Sequence, residues 1–204
     1  MLVIGLTGSI GMGKSTAAAR FRELGIAVCD ADAEVHKLYE GKAVAPIEAA
    51  FPGSTANGKV DRQKLGQALI ADPSRFVRLE AIVHPMVKEA ERQFLKAEAA
   101  RGASMAVLEI PLLLEGGGHG RVDVVVVVSA PPEMQRQRVL ARPGMSLEKL
   151  EQILARQLRD SEKRARADFI VDTGGSIAES AAQVDKIVES LQGRRGEVYA
   201  KHWA

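Results

Sequence analysis

Five consecutive valines, Val124 to Val128, leave a strand no polar side chain to turn toward water on either face. Successive side chains of a strand point to opposite faces, so such a run needs cover on both sides, and that is the condition inside a parallel sheet layered between helices. Four more apolar runs can join it. With Val122–Ser129 they are Leu2–Leu6, Ala27–Asp30, Met105–Ile110 and Phe169–Asp172. Helical patterns alternate with them over Lys14–Leu24, Glu133–Ala141, Leu147–Leu158 and Ile177–Leu191. The expected fold is therefore α/β, a five-stranded parallel sheet flanked by helices. At 204 residues, 46% hydrophobic and 4% aromatic, the chain can fill one sizeable core and a small inserted subdomain.

The insertion shows in the spacing. Between the second and third strands about 70 residues carry no strand pattern, far more than a crossover connection needs. They divide into short helices at "FPGSTANGK", at Asp72-Pro73 and at His84-Pro85, where Pro85 reads as the first residue of a helix and His84 as its structural neighbour. This stretch is expected to be all-helical and to lie over the carboxyl edge of the sheet. No internal repeat is visible, and the polar tail Gly193–Ala204 is expected to fray.

Several classes fall away on composition. The valine run is far shorter than the roughly 20 residues of a membrane-spanning helix. No charged region precedes Met1-Leu2-Val3-Ile4 to make a secretory leader, so a cytoplasmic protein is expected. The single cysteine, Cys29, excludes an internal disulfide, and the four histidines do not have zinc-ligand spacing. A net charge of +2 does not point to nucleic acid. The densest basic run, Arg156–Arg166, reads as a solvated helix face.

The chemistry begins at Gly8. Gly8-Ser9-Ile10-Gly11-Met12-Gly13-Lys14-Ser15 fits G-x-x-x-x-G-K-[ST], follows a strand and opens a helix, the context this pattern requires. Glycines there let successive N–H groups converge on phosphate oxygens at the positive end of a helix. Gly8 through Thr16 are the candidate nucleotide-binding residues. Lys14 would reach the terminal phosphates of ATP and Ser15 would ligate Mg²⁺. A plain glycine turn would leave Lys-Ser unexplained. A dinucleotide-binding turn would need a third glycine where Thr16 stands. A GTPase would need N-K-x-D, and Asn57-Gly58-Lys59-Val60-Asp61 carries an extra glycine. Asp172-Thr173-Gly174-Gly175 does fit D-x-x-G, on the last strand instead of an early one.

Asp30 and Asp32 mark the carboxyl end of the second strand, where open α/β sheets hold ligands, and two apart in extended chain they share a side. Two roles are open to Asp32: orienting or deprotonating an acceptor hydroxyl, or capping a helix that begins at Ala33. Arg136, Arg138 and Arg142 follow the fourth strand, and Arg138 and Arg142 are four apart. "RPGM" then breaks the helix before another starts. That pattern suits a lid over the phosphates, or else an amphipathic helix pair with solvated arginines. Glu109 ends the third strand, where it could serve Mg²⁺ through water or hold the insert by a hydrogen bond.

Together these residues resemble the dephospho-CoA kinases, which phosphorylate the ribose 3′-hydroxyl of dephospho-CoA to complete coenzyme A. The resemblance rests on "GLTGSIGMGKST", "LGIAVCDAD", "VDRQKLG", His84-Pro85, "EIPLLLE" and "ADFIVDTGG", and spans nearly the whole chain. It departs from the common pattern at Ser9, Met12, Leu114 and Ile153. It implies a P-loop kinase core over 1–32 and 103–204, a helical CoA-substrate region over 33–102 and a lid over 133–160. ATP would be the donor with Mg²⁺, Asp32 the base, and Lys14, Arg138 and Arg142 the charges around the transferred phosphate. A monomer is expected, with a homo-oligomer left open, and neither nucleic acid nor membrane is an expected partner. Two alternatives stay open on the residues themselves. One is a kinase of nucleotides or small alcohols; the other is an ATP-gated binding module without turnover.

Overall fold

In the computed structural model, which describes residues 1–72 and 74–204, the valine run lies at the centre of the fold. It forms β6 (Val124–Ser129), buried along its length, between β1 (Leu2–Thr7) and β7 (Phe169–Asp172). The sheet order is β2-β5-β1-β6-β7, with β2 at Val28–Asp30 and β5 at Met105–Glu109. β1 runs parallel to β5 and β6, pairing Leu6 with Glu109 and Val126, and β6 runs parallel to β7. The chain passes from β1 to the β2 edge, returns through β5 and crosses to β6, so the order reverses beside β1. Open α/β sheets bind ligands outside the strand ends at such a reversal.

By its internal contacts the chain divides into two units, Met1–Cys29 with Leu95–Ala204, and Asp30–Phe94. In the first, α1 (Lys14–Glu23) brings Ala17, Ala18 and Phe21, and α9 (Ile177–Leu191) brings Val184, Ile187 and Leu191, into one core with Ile4, Leu6, Val126 and Val128. Arg20 grips Asp185 with two bonds of 2.7 and 2.8 Å, tying α1 to α9. That guanidinium holds the Asp185 carboxyl below the ordinary aspartate range. After β6 come α6 (Pro132–Leu140), α7 (Leu147–Leu154) and α8 (Asp160–Arg164).

The second unit departs from the all-helical expectation. Between α3 (Val44–Ala50) and α4 (Arg62–Ala71) stands a hairpin, β3 (Thr55–Ala56) paired antiparallel with β4 (Lys59–Val60). Asn57 and Gly58 take positive φ of 52° and 74°, the requirement of a two-residue turn matched to strand twist. The Asn-Gly pair was the readable signal inside "FPGSTANGK". Asp61 then caps α4, accepting from the N–H groups of Gln63 and Lys64. The expected break at His84-Pro85 is also absent. Pro85 lies inside α5 (Arg75–Ala100), whose Phe76, Leu79, Ile82, Val83, Met86 and Val87 pack into a core with Ile47, Phe51, Leu65 and Leu69. This helical-period stripe outweighs the N–H that proline removes. The other expected punctuation, Asp72-Pro73, falls at Pro73 outside the described residues.

The tail is not frayed. Asp123 accepts Val3 N–H through Oδ2 at 2.8 Å and the N–H groups of Glu197 and Val198 through Oδ1 at 2.7 and 3.0 Å. A π-helical turn, Tyr199–Trp203, seats Trp203 at 4% exposure, with its indole N–H on the Arg121 carbonyl and the Arg121 guanidinium 5.5 Å from its ring centre. Trp203→Ala is expected to lower stability by about 3 kcal/mol, the usual cost of deleting a buried aromatic. Urea unfolding checks this as a shifted midpoint with unchanged slope. Among the described residues no helix is long and apolar enough to cross a membrane.

Candidate active site

β1 delivers the chain to Gly8, and α1 receives it at Lys14. Gly8 passes against the end of β6 so closely that a Cβ would overlap the Val128 side chain and lie 2.6 Å from its carbonyl oxygen. Gly13 caps α1 in the left-handed region at φ 88°, ψ 23°. A Cβ there would be strained and would press on Thr173 at 3.1–3.2 Å. The first turn of α1 thus opens at the loop, with Thr16 N–H turned back onto the Gly13 carbonyl at 3.1 Å. Lys14 bends back along the loop, its Nζ donating to the Gly8 carbonyl at 3.1 Å. Ser15 and Thr16 are exposed.

The loop is braced from beneath. Met12 is 3% exposed, and its sulfur accepts Ala130 N–H at 3.1 Å. Its carbonyl accepts the Thr173 hydroxyl at 2.7 Å, while Thr173 N–H bonds to Ser129 at 2.8 Å. Ser9, 3% exposed, closes the turn by accepting Met12 N–H at 3.2 Å. The two departures from the common loop pattern are packed residues here. Met12 faces the core with its side chain, so any nucleotide contact it makes is through its main chain.

The arginines separate. Arg138 donates to Thr173 Oγ1 at 3.1 Å and to the Thr173 carbonyl at 2.7 Å, so its guanidinium braces the residue that holds the loop. Arg142 lies beyond the end of α6, exposed. Their expected common helical face is therefore cut short.

The basic run is not simply a solvated face either. Lys163 is fully buried and pairs with Glu115 at 2.7 Å. The same Glu115 oxygen accepts Leu158 N–H at 2.9 Å. Arg164 reaches Ser129 Oγ at 3.1 Å, and that hydroxyl donates to Asp160 at 2.7 Å. Removing one partner from a buried pair leaves a charge without compensation, so loss of Glu115 would leave the Lys163 ammonium costly to bury.

Asp30 and Asp32 belong to the second unit, and the cap falls to Asp30. The helix α2 (Ala31–Tyr39) starts at Ala31, not Ala33, and Asp30 caps it by accepting the N–H groups of Asp32 at 2.9 Å and Ala33 at 3.1 Å. Asp32 is an exposed residue of the first turn, and its carbonyl meets His36 Nδ1 at 2.8 Å. The capping role read for Asp32 belongs to Asp30. The shared side of an extended segment is lost as well, because the chain has already turned helical. Glu109, the last residue of β5, is 5% exposed. In the D-x-x-G stretch, Asp172 accepts Gly174 N–H at 2.7 Å, a turn contact.

Three residues beside the loop carried no sequence signal of a contact with it. Thr173 is one. The others are Gln135 of α6, whose amide donates to the Ile10 carbonyl at 2.8 Å, and Gln157, whose side-chain oxygen accepts Ile10 N–H at 3.1 Å. They lie 125 and 147 positions from Ile10, and an uncharged glutamine in an amphipathic stretch reads as solvent-facing.

The family model described as dephospho-CoA kinase matches residues 2–179. The chain belongs to the dephospho-CoA kinase family. A dephospho-CoA kinase of Mesorhizobium japonicum is 56% identical over 96% of this chain and 100% of its own length. One of Rhizobium meliloti is 55% identical over 94% and 99%. Among solved structures, a Thermus thermophilus protein superposes with a TM-score of 0.81 at 38% identity, covering 94% of this chain and 97% of that one. The dephospho-CoA kinase of Campylobacter jejuni gives 0.69 at 26%, covering 93% and 96%. A shikimate kinase of Aquifex aeolicus, at 0.52 and 20% identity, shares the P-loop kinase fold. Within the dephospho-CoA kinase family the loop from Gly8 to Thr16 takes its place as the P-loop.

Proposed function

We propose that this chain transfers the γ-phosphate of ATP to the ribose 3′-hydroxyl of dephospho-CoA, giving coenzyme A and ADP. The observation that carries the reading is the loop itself: a glycine cap in the left-handed region sets Lys14 and the opening amides of α1 at one end of β1, in a chain of this family. Those amides and the Lys14 ammonium supply fixed positive charge where a triphosphate collects negative charge. Gly8, Ser9, Ile10, Gly11, Met12, Gly13, Lys14, Ser15 and Thr16 would hold the nucleotide, largely through the main chain.

The residues present fit Mg²⁺ in one respect, the exposed Ser15 hydroxyl in the first turn of α1. Among the described residues no group of three or more His, Cys, Asp or Glu could hold a metal ion. Mg²⁺ bound mainly by phosphate oxygens and water, with one serine ligand, needs no such group. When bound it neutralises charge on the triphosphate.

Asp32 is proposed to orient the acceptor hydroxyl. Asp30 supplies the side-chain cap of α2, and Asp32 stands exposed in its first turn. Residues 33–102 are proposed as the CoA-substrate region and 133–160 as the lid, with Arg142 offered to the phosphates and Arg138 acting close to Thr173. A cytoplasmic monomer is the proposed state.

The deciding experiment is a panel of adenosine, AMP, shikimate, pantetheine and dephospho-CoA, read as MgATP-dependent ADP release and as product mass. High kcat/KM is expected for dephospho-CoA alone, with a mass gain of one phosphate. Adenosine carries the ribose without the arm that would align it, and lost orientation can be worth about 7 kcal/mol. Equal turnover of adenosine or AMP would overturn the acceptor assignment and leave a nucleoside kinase.

A further inference from the structure

Ile10 stands at the crest of the loop, past the end of the β1 ladder, so no neighbouring strand is there to take its peptide groups. Two side chains take them instead. Because a peptide N–H can only donate and a carbonyl can only accept, the roles are fixed: Gln157 presents its oxygen at 3.1 Å and Gln135 its amide nitrogen at 2.8 Å.

These bonds aim more than Ile10. Each peptide here is trans and planar, so its C=O and N–H point in opposite directions. Drawing the Ile10 carbonyl toward α6 turns the Gly11 N–H of the same peptide away from α6. Drawing Ile10 N–H toward Gln157 turns the Ser9 carbonyl the other way, and it is there that Met12 N–H bonds to it at 3.2 Å. The two glutamines therefore set two successive peptide planes of the phosphate loop. Both are anchored. Gln135 is 7% exposed, in α6. Gln157 precedes Leu158, whose N–H is held by the Glu115 that pairs with the fully buried Lys163.

We infer that Gln135 and Gln157 are positioning residues for the transfer, a two-sided clamp on Ile10 that aims the amides of the phosphate loop from α6 and from the α7–α8 connection. The inference rests on the loop's holding nucleotide phosphates, not on which acceptor is used. A loop left to itself would have to spend part of its binding energy on orienting these planes, and glycines on either side make it supple. The clamp supplies that orientation in advance. It also makes the two segments that follow β6 part of the phosphate site, without a charged residue in either contact.

The test is titration with the Mg²⁺ complex of the β,γ-imido analogue of ATP, followed by steady-state kinetics with dephospho-CoA, using the full chain throughout. Gln135→Leu and Gln157→Leu remove one bond each and are expected to weaken analogue binding about tenfold, the scale of one lost hydrogen bond with its partner left unmet. Gln135→Glu is sharper. As a carboxylate it sets an acceptor against the Ile10 carbonyl, and as the neutral acid it regains a donor. Its affinity relative to wild type should be lowest near about pH 8 and rise as the pH is lowered toward about 5.5, approaching the usual glutamate range. Gln137→Glu, exposed on the same helix, adds the same charge without reaching Ile10 and should bind within about twofold of wild type across that range.

Thermal midpoints and circular dichroism identify any variant that fails to fold, and Gln157→Leu, at a half-buried loop position, tests the clamp independently of the α6 core. Binding within twofold of wild type in both leucine variants would overturn the inference. So would a Gln135→Glu profile that matches Gln137→Glu. If wild type bound the analogue but left dephospho-CoA unphosphorylated, the acceptor reading would fail while the clamp stood. If wild type failed to bind the analogue, both would fall.

Discussion

Lys14→Ala is expected to abolish phosphoryl transfer while leaving the fold intact, with kcat/KM down by about a thousandfold or more, some 4 kcal/mol of transition-state stabilisation. The ammonium lies over the loop on the Gly8 carbonyl, in the first residue of α1, and none of the core of its unit depends on it. Alanine is also the best helix former, so the first turn of α1 survives the change. On the proposed role, what disappears is a point charge beside the phosphate whose charge is redistributed in the transfer. Circular dichroism and urea midpoint should match wild type. Turnover that persisted would remove the loop from the chemistry. Lys14→Arg should not rescue it, because a planar fork cannot occupy the place of a compact ammonium at the same reach.

Asp32→Asn is expected to lower kcat by about a hundredfold to ten-thousandfold, the range for losing a positioned proton acceptor, with ATP affinity changed only a few-fold. The structure makes this substitution cleaner than sequence reading allowed. Asp30 caps α2 with 2.9 and 3.1 Å bonds, so asparagine at position 32 keeps both cap bonds and removes only a first-turn charge, worth about 0.3–1 kcal/mol. A fall in kcat would then report acceptor chemistry, not a frayed helix. Normal turnover would remove Asp32 from the mechanism. A large loss of ATP affinity would move it to the metal. Asp30→Asn separates the two positions: it retains a capping oxygen and should cost little stability.

The sheet was legible because burial on both faces forces a composition on its strands, and Val124–Val128 is the extreme case. The loop was legible because its path demands glycines at particular positions, at Gly8 by close approach and at Gly13 by backbone conformation. Elements held by tertiary contact were not. Pro85 looked like a helix start because local chemistry says so, and only the apolar stripe of α5 against its own unit carries the helix through it. The polar tail looked frayed because its anchors, Asp123 and the Arg121 carbonyl, lie far back in sequence. Lys163 looked solvated for the same reason, Glu115 being outside any local window. Gln135 and Gln157 show the limit most clearly. Their work consists of single hydrogen bonds to main chain, which impose no pattern on neighbouring residues. The Asn-Gly turn was the one local signal passed over, since two-residue strands give the alternation almost nothing to show.

The Asp123 carboxylate gathers contacts that become available at different times as the chain is made. One of its oxygens receives Val3, 120 positions earlier, and the other receives Val198, 75 positions later. At about 5–20 residues per second, a ribosome needs about 4 to 15 seconds to make the stretch between Asp123 and Val198. Once β6, which follows Asp123 directly, has been made and has emerged, it can pair with β1 while half of the carboxylate waits for a partner not yet synthesised. Strand β1 and the start of the Tyr199–Trp203 turn are thus joined through one side chain, and a nascent chain completes that junction only once Val198 has emerged.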